Sequence, residues 1–153
     1  MKVFVTGATG WVGSVLVNEL IANGHQVLGL CRSDEKAAAL HAAGAEVVRG
    51  SLQELDVLKD ASARSDGVIH TAFNHDFSKF AENCAEDVRV IETLGGVLEG
   101  SDRPLLVTSG IGFAPGRLGT ETDPPMPTND SYPRASKATA IAVAARGVRA
   151  STV

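Results

Sequence analysis

The sequence predicts an α/β protein built on a doubly wound parallel sheet with helices on both faces. Two observations support this fold class: short β-branched, apolar runs alternate with helical segments along the whole chain, and a glycine-rich turn directly follows the first run. The chain has 153 residues, of which 44% are hydrophobic and 21% charged, and this size and composition are typical of one globular domain. We therefore expect a single domain over residues 1–153.

The strand predictions rest on short apolar runs bounded by turn residues. The first run, KVFVT at residues 2–6, is apolar enough to be buried on both faces of a sheet. Similar runs recur along the chain, and the sixth reaches its last residue. The predicted strands are 2–6, 26–31, 45–49, 67–71, 104–108 and 148–153.

The helix predictions rest on apolar residues that recur every three or four positions. Gly24, Gly44 and Gly147 stand where a glycine commonly ends a helix. Segment 114–133 lacks this periodicity and holds five of the six prolines, so we expect a surface loop there. The predicted helices are 12–21, 34–43, 55–62, 77–98 and 134–146.

The turn after the first strand carries the strongest functional signal. It reads TGATGWVG over residues 6–13 and lies between a predicted strand and a predicted helix, where a dinucleotide fingerprint belongs. Glycines allow a tight turn, close approach to a pyrophosphate and close helix packing, while the helix N-terminus attracts the anion. An ordinary strand–helix turn is the alternative. The residues predicted to bind the cofactor here are Gly7, Thr9, Gly10, Trp11, Val12 and Gly13.

The GxxGxxG spacing resembles that of the short-chain dehydrogenase/reductase superfamily, and TGATGWVG resembles its extended and atypical branch, the NAD-dependent epimerase/dehydratase family. Segments 50–52, 70–72, 108–110 and 132–137 resemble further family motifs and occur in the family's order. The resemblance implies a Rossmann fold that ends here at the sixth strand. It also implies an NAD(P)-binding oxidoreductase, or an epimerase/dehydratase, acting on a sugar nucleotide or a small carbonyl compound.

The resemblance assigns catalytic roles to three residues. Tyr132 is the expected acid/base, Lys137 activates it and bonds the nicotinamide ribose, and Ser109 orients the substrate carbonyl. The tyrosine and lysine are five positions apart, whereas the family spacing is four, and the family's second serine falls on Gly110. In a continuous helix this spacing would turn the two side chains about 140° apart. We expect Pro133 to open the helix, with Tyr132 just before it; a surface tyrosine and a solvated lysine are the alternative.

The cofactor prediction rests on the end of the second strand. An acidic residue about 20 positions beyond the glycines selects NAD, but Arg32 and Ser33 occupy this place. A guanidinium can pair with a 2′-phosphate, so we predict NADP, with NAD as the alternative if Asp34 reaches the ribose. The resemblance places four further residues beside adenine or nicotinamide: Ser51, Leu52, Thr71 and Ala72.

Charge and hydropathy limit the partners. The net charge is −4 and the sequence has no run of Lys or Arg, which argues against nucleic acid. No apolar stretch is long enough to span a membrane, and the N-terminus lacks the apolar core of a signal peptide. The two cysteines make no CxxC pair and the four histidines have no metal-ligand spacing. We expect a cytoplasmic protein with a small-molecule substrate and no bound metal, and the resemblance adds a homodimer.

Two further expectations concern the role of the chain. Members of the resembled family continue beyond the sixth strand into a substrate lobe, so we expect this chain to be C-terminally short. The altered tyrosine–lysine spacing also leaves open a non-catalytic sensor that binds NAD(P) and signals through a protein contact. A fragment without a function of its own is the third interpretation.

Overall fold

Six strands form one parallel sheet in the order β3-β2-β1-β4-β5-β6. This computed structural model describes residues 1–110 and 116–153. The order confirms the predicted doubly wound sheet and is that of a Rossmann fold. The strands are β1 (Lys2–Thr6), β2 (Gln26–Cys31), β3 (Glu46–Arg49), β4 (Gly67–His70), β5 (Pro104–Val107) and β6 (Arg149–Thr152).

The helices follow the predicted positions with shifts of one or two residues at most ends. A short 3₁₀ turn at Phe77–Lys79 precedes the longest helix, and Asp76 caps this turn by accepting a hydrogen bond from the Ser78 N–H. The hydrogen bond from the Ser78 hydroxyl, followed by this backbone bond, lowers the pKa of Asp76. The helices are α1 (Trp11–Ala22), α2 (Asp34–Ala42), α3 (Leu55–Ala63), α4 (Phe80–Leu98) and α5 (Ser136–Ala144).

The start of α5 corrects one prediction. Pro133 does not open this helix, because residues 133–135 are not helical and Ala135, with φ −119° and ψ 14°, precedes its first residue. The Ser136 hydroxyl donates to the Asp87 carboxylate at 2.6 Å, and this buried bond anchors the helix start at Ser136. The predicted loop 114–133 begins outside the described residues, and its described part, 116–133, contains neither a helix nor a strand of the sheet.

Both faces of the sheet are covered, which explains the apolar sequence of β1. Phe4 is fully buried in the larger core, beneath α3, α4 and α5, whereas Val3 and Val5 lie in a second core against α1 and α2. Burial of each such side chain contributes roughly 1.5–3 kcal/mol. Within residues 1–110 and 116–153, no helix combines the length and apolarity needed to cross a bilayer.

The sheet order fixes where a ligand can bind. The chain runs outwards from β1 through β2 to β3, and β4 then returns to the other side of β1. The carboxyl ends of β1 and β4 therefore border a crevice at the topological switch point, which is where doubly wound sheets bind their ligands. The glycine turn after β1 and the loop after β4 both lie at this edge.

Candidate nucleotide-binding and active site

The glycine turn lies directly against the loop that follows β4. Gly7 has φ +67°, and a Cβ there would lie 2.8 Å from both the Ala72 nitrogen and the Thr71 Oγ1. The Thr71 hydroxyl donates to the Thr6 carbonyl at 2.8 Å and holds the two segments together. Only glycine combines this backbone conformation with so close an approach. Thr71 and Ala72 are thereby placed beside the turn.

The start of α1 is open to an anion. The Gly10 N–H donates to the Gly7 carbonyl at 2.8 Å, and a Cβ on Gly13 would lie 2.0 Å from the same oxygen. Gly10 is the N-cap and contributes no capping side chain, and the first turn holds no acidic residue. The N–H groups of the first turn therefore lack helical partners and can bind a phosphate.

Three other residues of the turn differ in exposure. Trp11 is 92% exposed, so its side chain has little packing against the described chain, and Val12 on the same helical turn is 63% exposed. Thr9 is half-buried within the loop. Trp11 therefore stands at the mouth of the phosphate loop rather than in the core.

Two arginines flank a cleft of about 360 Å³ at the ends of β2 and β3. Arg32, predicted from the sequence, is exposed and lines the cleft together with Arg49. The Arg49 guanidinium donates to the Arg32 carbonyl at 3.0 Å and pairs with Asp34 at 2.9 Å. Asp34, the acid that would favour NAD, is thus engaged by an arginine. Sequence reasoning missed Arg49, because its place beside Cys31 follows only from the pairing of β3 with β2.

The segment after β3 contributes to the same cleft. The Ser51 N–H and hydroxyl both donate to one Glu54 oxygen, at 2.8 and 2.9 Å, and this closes a tight turn. Leu52 is half-buried and packs against the larger core. The turn presents Ser51 to the cleft, whereas Leu52 is held partly by the protein interior.

A second cavity, of about 660 Å³, brings together the three predicted catalytic residues. Ser109, Tyr132 and Lys137 all line it. Tyr132 lies outside α5, in a turn that it closes with Asn129, so the five-residue spacing to the lysine does not run along one helix. The tyrosine hydroxyl lies 2.8 Å from the point where a Cβ on Gly110 would stand. The glycine in the serine register therefore makes room for the tyrosine hydroxyl.

Lys137 is bound to the loop across the cavity. Its ammonium donates to the Asp123 carbonyl at 2.6 Å and to the Glu121 carbonyl at 3.4 Å. The Asp123 carboxylate in turn pairs with Arg117, and this hydrogen-bonded guanidinium lowers the pKa of Asp123. The lysine is therefore ordered by two backbone acceptors.

A buried chain of hydrogen bonds connects the glycine turn to α5. The Thr6 hydroxyl lies 2.6 Å from His70 Nδ1, and His70 Nε2 lies 3.0 Å from Asp87 Oδ1. Asp87 Oδ2 accepts from the Ser136 hydroxyl, whose oxygen accepts from Arg134 Nε at 3.1 Å. Because a carboxylate can only accept, Nε2 carries the proton that His70 shares with Asp87. The sequence pattern gave no signal that these residues meet.

The comparisons with known proteins now establish the family. A family model described as NAD(P)H-binding matches residues 7–95, and the chain belongs to this NAD(P)H-binding family. The Schizosaccharomyces pombe protein C2A9.02 is 48% identical over 157 residues, which cover 99% of this chain and 52% of that protein. The chain thus spans about half the length of this curated relative.

Other relatives indicate the chemistry found around this fold. A Stigmatella aurantiaca protein, 4-hydroxy-2-methyl-3-oxo-4-farnesyl-3,4-dihydroquinoline-1-oxide ketoreductase, is 39% identical over 72 residues, covering 47% of this chain and 22% of that enzyme. The solved structure of MoeE5 in complex with UDP-glucose and NAD is 28% identical, with a TM-score of 0.73, covering 99% of this chain and 52% of that one. The glycine turn therefore belongs to an NAD(P)-binding domain.

Proposed function

We propose that the chain binds a nicotinamide dinucleotide and serves an oxidoreductase of the extended or atypical short-chain dehydrogenase/reductase type. The substrate class is a small carbonyl compound or a sugar nucleotide. The observation that carries the proposal is the glycine turn, pressed against Ala72 with the N-terminus of α1 left open at the switch point. The ketoreductase relative and the neighbour solved with UDP-glucose and NAD support this chemistry.

The residues at the crevice fit this cofactor. Gly7, Gly10 and Gly13 have no side chains, so the backbone N–H groups of the turn can approach a pyrophosphate. Arg32 and Arg49 border the cleft at the adenosine end, and a 2′-phosphate would be bound by the Arg32 guanidinium, because both terminal nitrogens of Arg49 already have partners in the protein. We therefore propose a preference for NADP over NAD. Ser51 and Leu52 would lie beside adenine, and Thr71 and Ala72 beside nicotinamide.

The catalytic proposal assigns one role to each cavity residue. When bound, the cofactor supplies the hydride. The Tyr132 hydroxyl would donate the proton to the substrate oxygen, and the Ser109 hydroxyl would hold that oxygen in place. Lys137 uses two of its three donors on the carbonyls of Glu121 and Asp123, and its third would bond the nicotinamide ribose next to the tyrosine.

A fluorescence titration tests cofactor binding. Trp11 is the sole tryptophan and stands at the phosphate loop, so bound NADPH or NADH should quench its emission. We expect NADPH to bind at least tenfold more tightly than NADH, a difference of about 1.4 kcal/mol. Arg32→Gln should remove most of this preference, whereas the matched control Arg89→Gln, on the exposed side of α4, should retain it. Equal quenching by both cofactors would refute the Arg32 assignment, and no quenching of the folded chain would refute the proposal.

A non-catalytic NAD(P) sensor is the second candidate. Two observations favour it: Lys137, on α5, donates to loop carbonyls, and Tyr132 lies outside α5, so the two side chains do not share one helix as in the resembled family. Oxidation of NADPH in the presence of a panel of aldehydes and ketones separates the two. Turnover that Tyr132→Phe abolishes supports the enzyme, and binding without turnover supports the sensor.

A cytoplasmic homodimer remains part of the proposal, and light scattering tests its stoichiometry.

A further inference from the structure

The cavity beside Tyr132 is more basic than the chain as a whole. The chain carries a net charge of −4, yet the charged side chains that line this cavity include more cations than anions. Most of these charges are already engaged by the protein, since Arg117 pairs with Asp123 and Lys137 donates to loop carbonyls. The charged lining residues are Arg117, Arg134, Lys137, Glu121 and Asp123.

The orientation of Arg134 in this cavity is fixed by two contacts with the protein. Its guanidinium stacks over the Phe73 ring, with 4.3 Å between the guanidinium carbon and the ring centroid. Its Nε–H donates to the Ser136 hydroxyl oxygen, which is locked in turn by the buried Asp87 carboxylate. One face and one donor of the guanidinium are thus used for orientation. Among the residues that the structure describes, no acceptor bonds its two terminal nitrogens.

The oriented guanidinium and the proposed proton donor both lie near Gly110. The point where a Cβ on Gly110 would stand is 2.8 Å from the Tyr132 hydroxyl and 4.0 Å from Arg134 Nε. A substrate whose reacting oxygen bonds the Tyr132 hydroxyl would therefore carry its adjacent substituent close to Arg134. The planar fork of terminal N–H groups suits an oxyacid anion, which it can bind through two parallel hydrogen bonds.

We propose that Arg134 binds an anionic group, a carboxylate or a phosphate, next to the reacting carbon of the substrate. This deepens the proposed function, on which it rests, by naming a substrate class: carbonyl compounds with an oxyacid anion close to the carbonyl. Arg134 is then a specificity-determining residue, and the buried chain from His70 through Asp87 to Ser136 fixes its orientation.

Calorimetric titrations with matched ligands test the assignment. The first pair is benzoylformate and its neutral methyl ester; the second is dihydroxyacetone phosphate and dihydroxyacetone. Each is titrated into the 153-residue chain alone and with NADP⁺ present. We expect the anion of at least one pair to bind at least tenfold more tightly than its neutral partner. The pair that shows this preference tells whether the site takes a carboxylate or a phosphate.

Variants assign the preference to one residue. Arg134→Gln should reduce the ratio to about one, and Arg134→Lys should restore part of it because it keeps the charge without the fork. Arg117→Gln, on the same cavity, should leave the ratio unchanged. Equal binding within both pairs, no binding of any ligand, an unchanged ratio in Arg134→Gln, or an equal loss in Arg117→Gln would each overturn the proposal. Failure of the proposed function is seen separately, as absent quenching of Trp11 by NADPH.

Discussion

Removal of the Asp87 carboxylate should destabilise the fold far more than removal of an exposed one. Asp87 is 4% exposed and accepts from two groups that are each 1% exposed, the His70 ring and the Ser136 hydroxyl. Asp87→Ala leaves the His70 Nε2–H and the Ser136 O–H each without an acceptor, and each buried donor left unpaired costs about 1–3 kcal/mol. We expect a loss of about 3 kcal/mol, since the vacated space can admit some relaxation. A domain of this size has a total stability of only about 5–15 kcal/mol.

Urea unfolding, followed by circular dichroism, measures this loss. Asp87→Asn is the conservative variant, because its amide can accept from one neighbour and donate to the other, and we expect it to lose about 1 kcal/mol. Asp60→Ala is the matched control: this exposed carboxylate pairs with Arg64 one helical turn away, which contributes about 0.3–0.5 kcal/mol. A loss below about 1 kcal/mol for Asp87→Ala would refute the reasoning, and so would equal losses for the buried and exposed variants.

Three other predictions address packing, a carbonyl cluster and a buried thiol. Gly95→Ala should lower the free energy of unfolding by about 1–3 kcal/mol, because a Cβ there would lie 2.4 Å from Val143 Cγ1. Gly96→Ala, whose Cβ would have nothing within 4 Å, should raise it by about 0.5–1 kcal/mol. Urea midpoints that shift alike would contradict this. Arg103 donates to three carbonyls at the ends of α3 and α4, so Arg103→Ala should lose about 2–3 kcal/mol and Arg103→Lys less, with thermal melts as the measurement. Burial raises the pKa of the Cys84 thiol above its usual 9.0, so above about pH 9 unfolding releases its proton and the free energy of unfolding should fall as the pH rises. Cys84→Ala should flatten this part of the stability–pH profile. An unchanged slope would contradict the prediction.

The strands and their parallel, doubly wound arrangement were the most predictable part of the molecule. An apolar run such as KVFVT indicates a strand that is buried on both faces of a sheet. The alternation of such runs with helical segments predicts a parallel sheet. The glycine turn could be predicted equally well, because Gly7 and Gly13 lie where the backbone approaches another segment too closely for a Cβ. In these cases the cause is local in the sequence.

The contacts between distant segments could not be read in the same way. Asp87 lies on the buried face of α4, and nothing within this helical segment indicates that its partners are on β4 and α5. Arg49 is likewise an ordinary strand-end charge until β3 is placed beside β2. The prediction that Pro133 opens α5 was also wrong: the helix begins at Ser136, whose hydroxyl bonds the distant Asp87 carboxylate.

The two loop carbonyls that accept from Lys137 have a consequence for ligand binding by the proposed enzyme. An ammonium has three donors, so Lys137 can keep both carbonyls and still donate its third N–H to a nicotinamide ribose. The loop and the proposed cofactor would then share one side chain. By linkage, a dinucleotide that stabilises this arrangement of the loop would tighten a substrate that contacts the loop, and the substrate would tighten the dinucleotide by the same factor.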